Sequence, residues 1–221
     1  MIIDKARELL GEHIEDTFFD LLKEQAAPFE RLMRYYKCAM LEIETKLKVL
    51  NEEYSLAYNR NPINTIKTRL KSASSIKGKL RKKGLSLSID AIEENLNDVA
   101  GVRVTCMTVN DVYAIADALL KQDDINLIKM KDYIKNPKPN GYRSLHLIVE
   151  TPIFLSDEKK QMRVEIQLRT IAMDCWAALE HQLRYKCAEK ELSELTGYEL
   201  LKCAELSAEL DARMGKLMTD K

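Results

Sequence analysis

Residues 135–170, KNPKPNGYRSLHLIVETPIFLSDEKKQMRVEIQLRT, bring an aromatic ring, cations and a carboxylate to the ends of two strand-like segments. A Pro/Asn/Gly loop delivers Tyr142, Arg143 and His146 into the first segment. Glu165 lies between Val164 and Ile166 in the second. A charge inside a strand pattern is costly unless something cationic meets it. Cation, ring and carboxylate converging at strand ends suit a nucleotide and its metal ion. Tyr142, directly after Asn140-Gly141, offers a face on which a base can stack, worth roughly 1–3 kcal/mol. Lys138, Arg143 and His146 are within reach of phosphates.

A second group lies upstream. Between Thr65 and Gly84 stand eight cations and no acid: Lys67, Arg69, Lys71, Lys77, Lys79, Arg81, Lys82 and Lys83. Such a run is as often a solvated helix face, but the spacing argues for more. Arg69 and Lys71 fall on one side of an extended chain. Ser74 or Ser75 is expected to cap the helix that follows, which carries Lys79 one turn beyond Ser75 on the same face. Oriented cations beside a helix N-terminus make a polyphosphate site. Neither GxxxxGK[ST] nor a Rossmann fingerprint is present. Asp98, just before the strand-like AGVRV, and Glu165 can each be read alone as a cap or an edge-strand charge. Taken with the cations, they read as hard oxygen ligands for Mg²⁺.

These groups need a frame. Apolar spacing predicts helices over 4–25 and from Pro28 to about Tyr58, with Asn61-Pro62 breaking the pattern. Strands are expected at 100–107, 125–132, 144–150 and 162–168. Helices are expected at 110–121 with Asn110 as cap, at 170–186, and at roughly 190–218 after a break near Ala188. Trp176, at helical spacing with Ile171, Leu179 and Leu183, reads as core. The expected fold is α/β: a mixed sheet of about five strands packed by helices, with long N- and C-terminal helices. Its expected divisions are a helical arm at 1–59, a catalytic core at 60–187 and a final helix at 188–221.

At 221 residues with 35 acidic and 35 basic side chains, bulk charge argues neither for nucleic-acid coating nor for membrane attraction. Nothing indicates RNA as a partner. Five cysteines without a CxxC pair, an N-terminus acidic from its start and no apolar run of spanning length give the expectation of a cytoplasmic protein. His181 and Cys187 lack further ligands, which argues against zinc.

RxK…SI…K, DVAGVRV, NGYRSLH and VEIQLRT, taken together over about residues 60–187, resemble the synthetase domain of the RelA/SpoT family. The chain is most similar to the small alarmone synthetases of the RelQ type, which lack a hydrolase domain. The resemblance implies a nucleotidyltransferase-like synthetase fold. It also implies Mg²⁺-dependent transfer of pyrophosphate from ATP to the 3′-hydroxyl of GDP or GTP. Arg69 and Arg103 would sandwich adenine, and Lys71, Ser75 and Lys79 would hold the ATP phosphates. Asp98 and Glu165 would carry the metal, and Gln167 would place the acceptor ribose. Tyr142 would stack on guanine, with Lys131, Lys138, Arg143 and His146 on the acceptor's phosphates. The resemblance further implies a homotetramer, and KMKD at 129–132 matches the basic type that works with one Mg²⁺.

Two departures stand out. Asp174, at the acceptor side, occupies a place where RelQ-type sequences often carry Asn, so guanine-edge contacts there do not transfer. PINTIKT before Arg69 has Thr65 and Lys67 where the segment that binds product between subunits carries an aromatic and a hydroxyl, respectively, so product activation does not transfer either. Two other functions compete: the same fold acting on tRNA or adenine nucleotides, and a non-catalytic nucleotide- or RNA-binding regulator. The complete KPNGYRSLH loop favours a guanine acceptor. The retained carboxylates and lysines favour catalysis.

Overall fold

The computed structural model describes residues 26–186 and 193–219. The helix expected over 4–25 and the break near Ala188 lie outside them, as does Cys187. Leu32, Tyr36, Ala39, Met40, Ile43, Leu47 and Leu50 recur every three or four residues and are all buried. They form the inner stripe of α1 (Ala26–Tyr58), which lies across the sheet. Asn59 ends this helix in the left-handed region at φ 51, a conformation Asn tolerates better than most residues.

The remaining elements are β1 (Ile63–Leu70), α2 (Ala73–Lys82), α3 (Ile89–Asn95), β2 (Ala100–Cys106), α4 (Val109–Leu120), β3 (Asn126–Asp132), β4 (Leu145–Phe154), β5 (Lys159–Thr170), α5 (Ile171–Lys186) and α6 (Glu194–Thr219). The five strands form one mixed sheet in the order β1-β2-β5-β4-β3. Only β2 and β5 run parallel, joined through α4, β3 and β4; the other pairs are antiparallel. The sheet is the expected α/β arrangement, and its fifth strand is the extended chain before Lys71.

Alternation along β5 sets the two faces. Met162, Val164, Ile166 and Leu168 are buried with Val102, Val104, Leu145, Leu147 and Val149 against the helices. Each such side chain removed from water contributes about 1.5–3 kcal/mol. Arg163, Glu165 and Gln167 point to the opposite face and are only half-buried.

Two caps differ from expectation. Ser72, not Ser74 or Ser75, caps α2: it keeps an extended backbone while its hydroxyl accepts from the Ser75 N–H at 3.3 Å. Ser74 and Ser75 already have turned into the helix and cannot take that role. Likewise Thr108, not Asn110, caps α4. It forms a reciprocal capping box with Asp111, a buried carboxylate also paired with Arg60. Among the described residues no helix is long and apolar enough to cross a membrane.

Candidate active site

Strand register assembles the site. Lys67 pairs with Arg103, Arg103 with Gln167, Gln167 with His146 and His146 with Lys131. One step along the same face, Arg69 pairs with Gly101, Gly101 with Glu165, Glu165 with Ile148 and Ile148 with Lys129. Two adjacent rows thus carry Arg69, Arg103, Lys131, His146, Glu165 and Gln167 across five strands. Gly101 leaves a gap in the second row, between Arg69 and Glu165.

Two cavities open on this face. One, of about 240 Å³, is lined by Arg69, Lys71, Asp98, Gly101, Arg103, Glu165 and Gln167, among others. The other, of about 270 Å³, is lined by Lys79, Lys83, Asp98, Lys129, Lys131, His146 and Glu165, among others. Asp98 and Glu165 belong to both, so the two acids stand where the cavities meet.

Asp98 lies between α3 and β2 and accepts from two ammonium groups at one oxygen. Lys71 Nζ is 2.8 Å and Lys79 Nζ 2.5 Å from Oδ2. Burial pushes this carboxyl up, but the hydrogen bonds and charges of Lys71 and Lys79 outweigh burial and hold it below the ordinary carboxylate value. Its other oxygen, Oδ1, is buried without a hydrogen-bond partner. A buried anionic oxygen left over from such a cluster suits a cation.

Glu165 sits in a closed ring of hydrogen bonds whose direction follows from one residue. Arg169, only 4% exposed, can only donate. Its Nη2 gives to Tyr142 Oη at 2.7 Å and to Gln167 Oε1 at 3.0 Å. Tyr142 therefore passes its own hydrogen to His146 Nε2, 2.8 Å away. His146 Nδ1 then carries the proton and faces Glu165 Oε1 at 3.4 Å. Gln167, its amide oxygen taken, donates Nε2 to Glu165 Oε2 at 2.9 Å. Both arms end on Glu165 as donors. Burial raises this carboxyl, but His146 and Gln167 bring it below its usual value, while the charge of Asp98 opposes them. That mutual repulsion is what a shared divalent cation would relieve.

Both acids are thus anionic at neutral pH. Among the described residues no three His, Cys, Asp or Glu side chains gather as a full ligand set. Two carboxylates leaving room for phosphate and water oxygens are the donor set Mg²⁺ prefers. The residues fit the ion the sequence implied.

Tyr142 stands beside Tyr133 and His146 as an aromatic cluster, with ring centroids 5.4–6.0 Å apart. Lys138 Nζ lies 4.7 Å from both tyrosine ring centroids. The cluster is braced from behind by α5 and α6. Trp176, buried as expected, touches Tyr142 and donates to Leu200 O at 2.7 Å. Gly141, at φ +90, turns so close to α6 that an added Cβ would lie 2.5 Å from Ala204 Cβ. Gly141→Ala should therefore lower stability by about 1–3 kcal/mol, through overpacking added to a left-handed backbone. Thermal melting of the variant checks this.

Five expected site residues, Ser75, Lys138, Tyr142, Arg143 and Asp174, do not line these two cavities, although Tyr142 bonds to the lining residue His146. Ser75 is exposed in the first turn of α2, its hydroxyl 2.9 Å from that of Ser72. Arg143 points the other way. It donates to Ile134 O at 3.2 Å and lines a separate cavity of about 380 Å³ with Asp211 and Met173. The physical reason is alternation: Tyr142 and Arg143 are neighbours in an extended segment and face opposite sides. Asp174 accepts from Arg169 rather than facing a cleft alone. Sequence reading missed Arg169, Lys129 and Tyr133. A signal existed for the first two, which lie two residues from Gln167 and Lys131 on the same strand face.

Known proteins share this frame. The family described as a region found in RelA/SpoT proteins matches residues 68–190. The GTP pyrophosphokinase YwaC of Bacillus subtilis is 41% identical over 198 residues, covering 90% of this chain and 94% of that protein. The GTP pyrophosphokinase YjbM of the same organism is 34% identical over 189 residues, 86% of this chain and 88% of that protein. The crystal structure of small alarmone synthetase 2 from Bacillus subtilis superposes with a TM-score of 0.79 at 39% identity, over 87% of this chain and 99% of that one. Small alarmone synthetase 1 from Bacillus subtilis, bound to its product pppGpp, gives 0.79 at 33% identity over 87% and 97%. The same synthetase bound to AMPCPP gives 0.73 at 29% identity over 87% and 97%.

Proposed function

The chain belongs to the RelA/SpoT family, and on that premise we propose how it works as a GTP pyrophosphokinase: it transfers the β,γ-pyrophosphate of ATP to the 3′-hydroxyl of GDP or GTP, giving ppGpp or pppGpp and AMP. The observation that carries this reading is the position of Asp98 and Glu165, which line both cavities at once with cations on either side. A donor and an acceptor nucleotide can then meet at the acids that separate them.

ATP takes the cavity of Arg69 and Arg103, whose planar guanidinium groups suit a base, with Lys71 on its phosphates and Lys79 reaching them from the adjoining cavity beside the shared Asp98. The acceptor takes the cavity of Lys129, Lys131 and His146, its guanine against Tyr142 and its phosphates near Lys138. Gln167, already hydrogen-bonded to Glu165, orients the acceptor ribose. The 3′-oxygen attacks the β-phosphorus as the bond from that phosphorus to the α-bridging oxygen breaks and AMP leaves. Little base strength is needed for such a step, and in-line placement and charge neutralisation dominate. Glu165, held below its usual pKa, polarises the 3′-hydroxyl and receives its proton as the new bond forms. Mg²⁺ held by Asp98 and Glu165 would neutralise phosphate charge there.

The core of this activity is residues 60–187. Exposed apolar residues along α1 (Leu41, Val49, Leu56) and α6 (Leu206, Leu210, Leu217) support self-association, and we propose a homotetramer working in the cytoplasm.

Incubation of the full chain with ATP, Mg²⁺ and labelled GDP or GTP tests the reading. AMP and a more highly phosphorylated guanosine product are expected. Label transferred instead to tRNA or an adenine nucleotide would replace the acceptor, and absence of turnover would overturn the assignment. Tyr142→Ala should weaken GDP binding by at least about five-fold, in line with the loss of one base stack, and leave an ATP analogue nearly unaffected in calorimetry. Equal weakening of both would remove the stacking role.

A further inference from the structure

Asp174 lines neither cavity but bridges two arginines of the site. Its Oδ1 accepts from Arg169 Nη1 at 3.0 Å and lies 3.5 Å from Arg103 Nη1. Arg103 lines the donor cavity. Arg169 holds Tyr142 and Gln167 on the acceptor side through its other nitrogen, Nη2. One carboxylate oxygen therefore serves two guanidinium groups, one for each nucleotide, and these two groups repel each other.

We propose that Asp174 is a positioning residue that makes the two sites cooperative, so that filling the donor cavity tightens guanine nucleotide binding and the reverse. The inference deepens the functional reading above and rests on its assignment of the two cavities. Arg103 is half-exposed and meets Asp174 only at 3.5 Å, whereas Arg169 is buried and held by Asp174, Tyr142 and Gln167. When Arg103 leaves for the donor's base, Asp174 Oδ1 belongs to Arg169 alone, and a repelling charge moves away from it. Arg169 is then held more firmly at Nη1. Because its guanidinium is planar and rigid, the same hold fixes Nη2, and with it the Tyr142 hydroxyl and the Gln167 amide. An acceptor arriving next meets a ring and an amide already in place, and less ordering opposes its binding. Linkage requires the converse effect to be equal.

The arrangement depends on the charge of Asp174. A neutral amide at this position could bond one guanidinium but would leave the repulsion between the two uncompensated. It would also set an amide N–H₂ against donors.

The test is calorimetry on the full chain with GDP, in the absence and in the presence of saturating α,β-methylene-ATP, which cannot transfer its pyrophosphate. In the wild-type protein the analogue should lower the Kd for GDP at least about five-fold, the lower end of typical coupling between sites. In Asp174→Asn the ratio should fall to near one, with each nucleotide alone still bound. Asp174→Glu should recover part of the ratio, which a merely structural loss would not do. Should Asp174→Asn fail to fold, Arg103→Ala gives the same information, because removing a half-exposed side chain leaves the core intact. With the analogue raised to saturation, GDP affinity in that variant should not respond. A wild-type ratio near one, or a wild-type ratio retained in Asp174→Asn or Arg103→Ala, overturns the proposal. Coupling without turnover would count against the pyrophosphokinase reading and leave the coupling standing.

Discussion

Asp98→Asn is expected to lower pyrophosphate transfer on the order of 10³-fold while the protein stays folded. The loss has two sources. The amide removes the anionic oxygen Oδ1, buried and without a protein partner, that suits a divalent ion. It also removes the acceptor shared by Lys71 and Lys79, which then have no carboxylate to hold them towards the phosphates. Removal of one preorganised electrostatic group from an active site typically costs about 10²–10³-fold, and here both the metal ligand and the aim of two lysines are lost. Folding survives because Asp98 is on a connecting segment and only partly buried. The variant also changes the pH dependence of stability, with a defined sign. The folded-state pKa of Asp98 lies below its unfolded value. Its contribution is therefore present above the ordinary carboxylate pKa and is lost as pH falls through the lower folded value. Denaturant titrations from neutral to acidic pH should show a shallower decline in Asp98→Asn than in wild type. Measurement of AMP release at saturating nucleotide checks the catalytic effect.

Glu165→Gln is expected to reduce turnover by about 10²–10³-fold, for a different reason. Both arms of the hydrogen-bond ring end on Glu165 as donors, His146 at one oxygen and Gln167 at the other. An amide has only one acceptor oxygen, so one of these donors must face an N–H₂ group. The ring can relieve that clash only by flipping the Gln167 amide or changing the His146 tautomer, and Arg169, which can only donate, opposes both. The defect should appear in kcat more than in the KM for ATP, because in the proposed reaction Glu165 serves the 3′-hydroxyl, while the bulk of the donor cavity is unchanged. Steady-state kinetics with ATP varied separates the two.

Much of this site was legible in the sequence because strand alternation is simple. Glu165 and Gln167 lie two apart, as do Arg69 and Lys67, and residues two apart share a face. The motif from Lys138 to His146 also located the aromatic platform, although the second tyrosine, Tyr133, went unnoticed. What could not be read was register. Nothing in the chain says that Gly101 sits beside Glu165, or that Arg103 sits beside Gln167. Those pairings place the cations of β1 and β2 on the same floor as the acceptor side. Arg143 shows the opposite failure. Alternation was available and argues against placing it with Tyr142, but the motif was read as a block. The caps failed for a local reason. In a serine-rich run the cap is the residue that keeps extended dihedrals, and only the end of β1 decides that this is Ser72. Arg169 shares its face with Gln167 by the same alternation, but its bridging role follows only from the fold, where Tyr142 and Asp174, from segments on either side of it in sequence, meet it.

The central claim is that Asp98 and Glu165 share one divalent ion. It is tested most directly by pulsed electron paramagnetic resonance on protein carrying ¹³C in its Asp and Glu side-chain carboxyls, loaded with Mn²⁺ and α,β-methylene-ATP. The account predicts carboxylate ¹³C couplings to a single bound Mn²⁺ from two side chains, one lost in Asp98→Asn and the other in Glu165→Gln. Couplings that persist unchanged in either variant would contradict it.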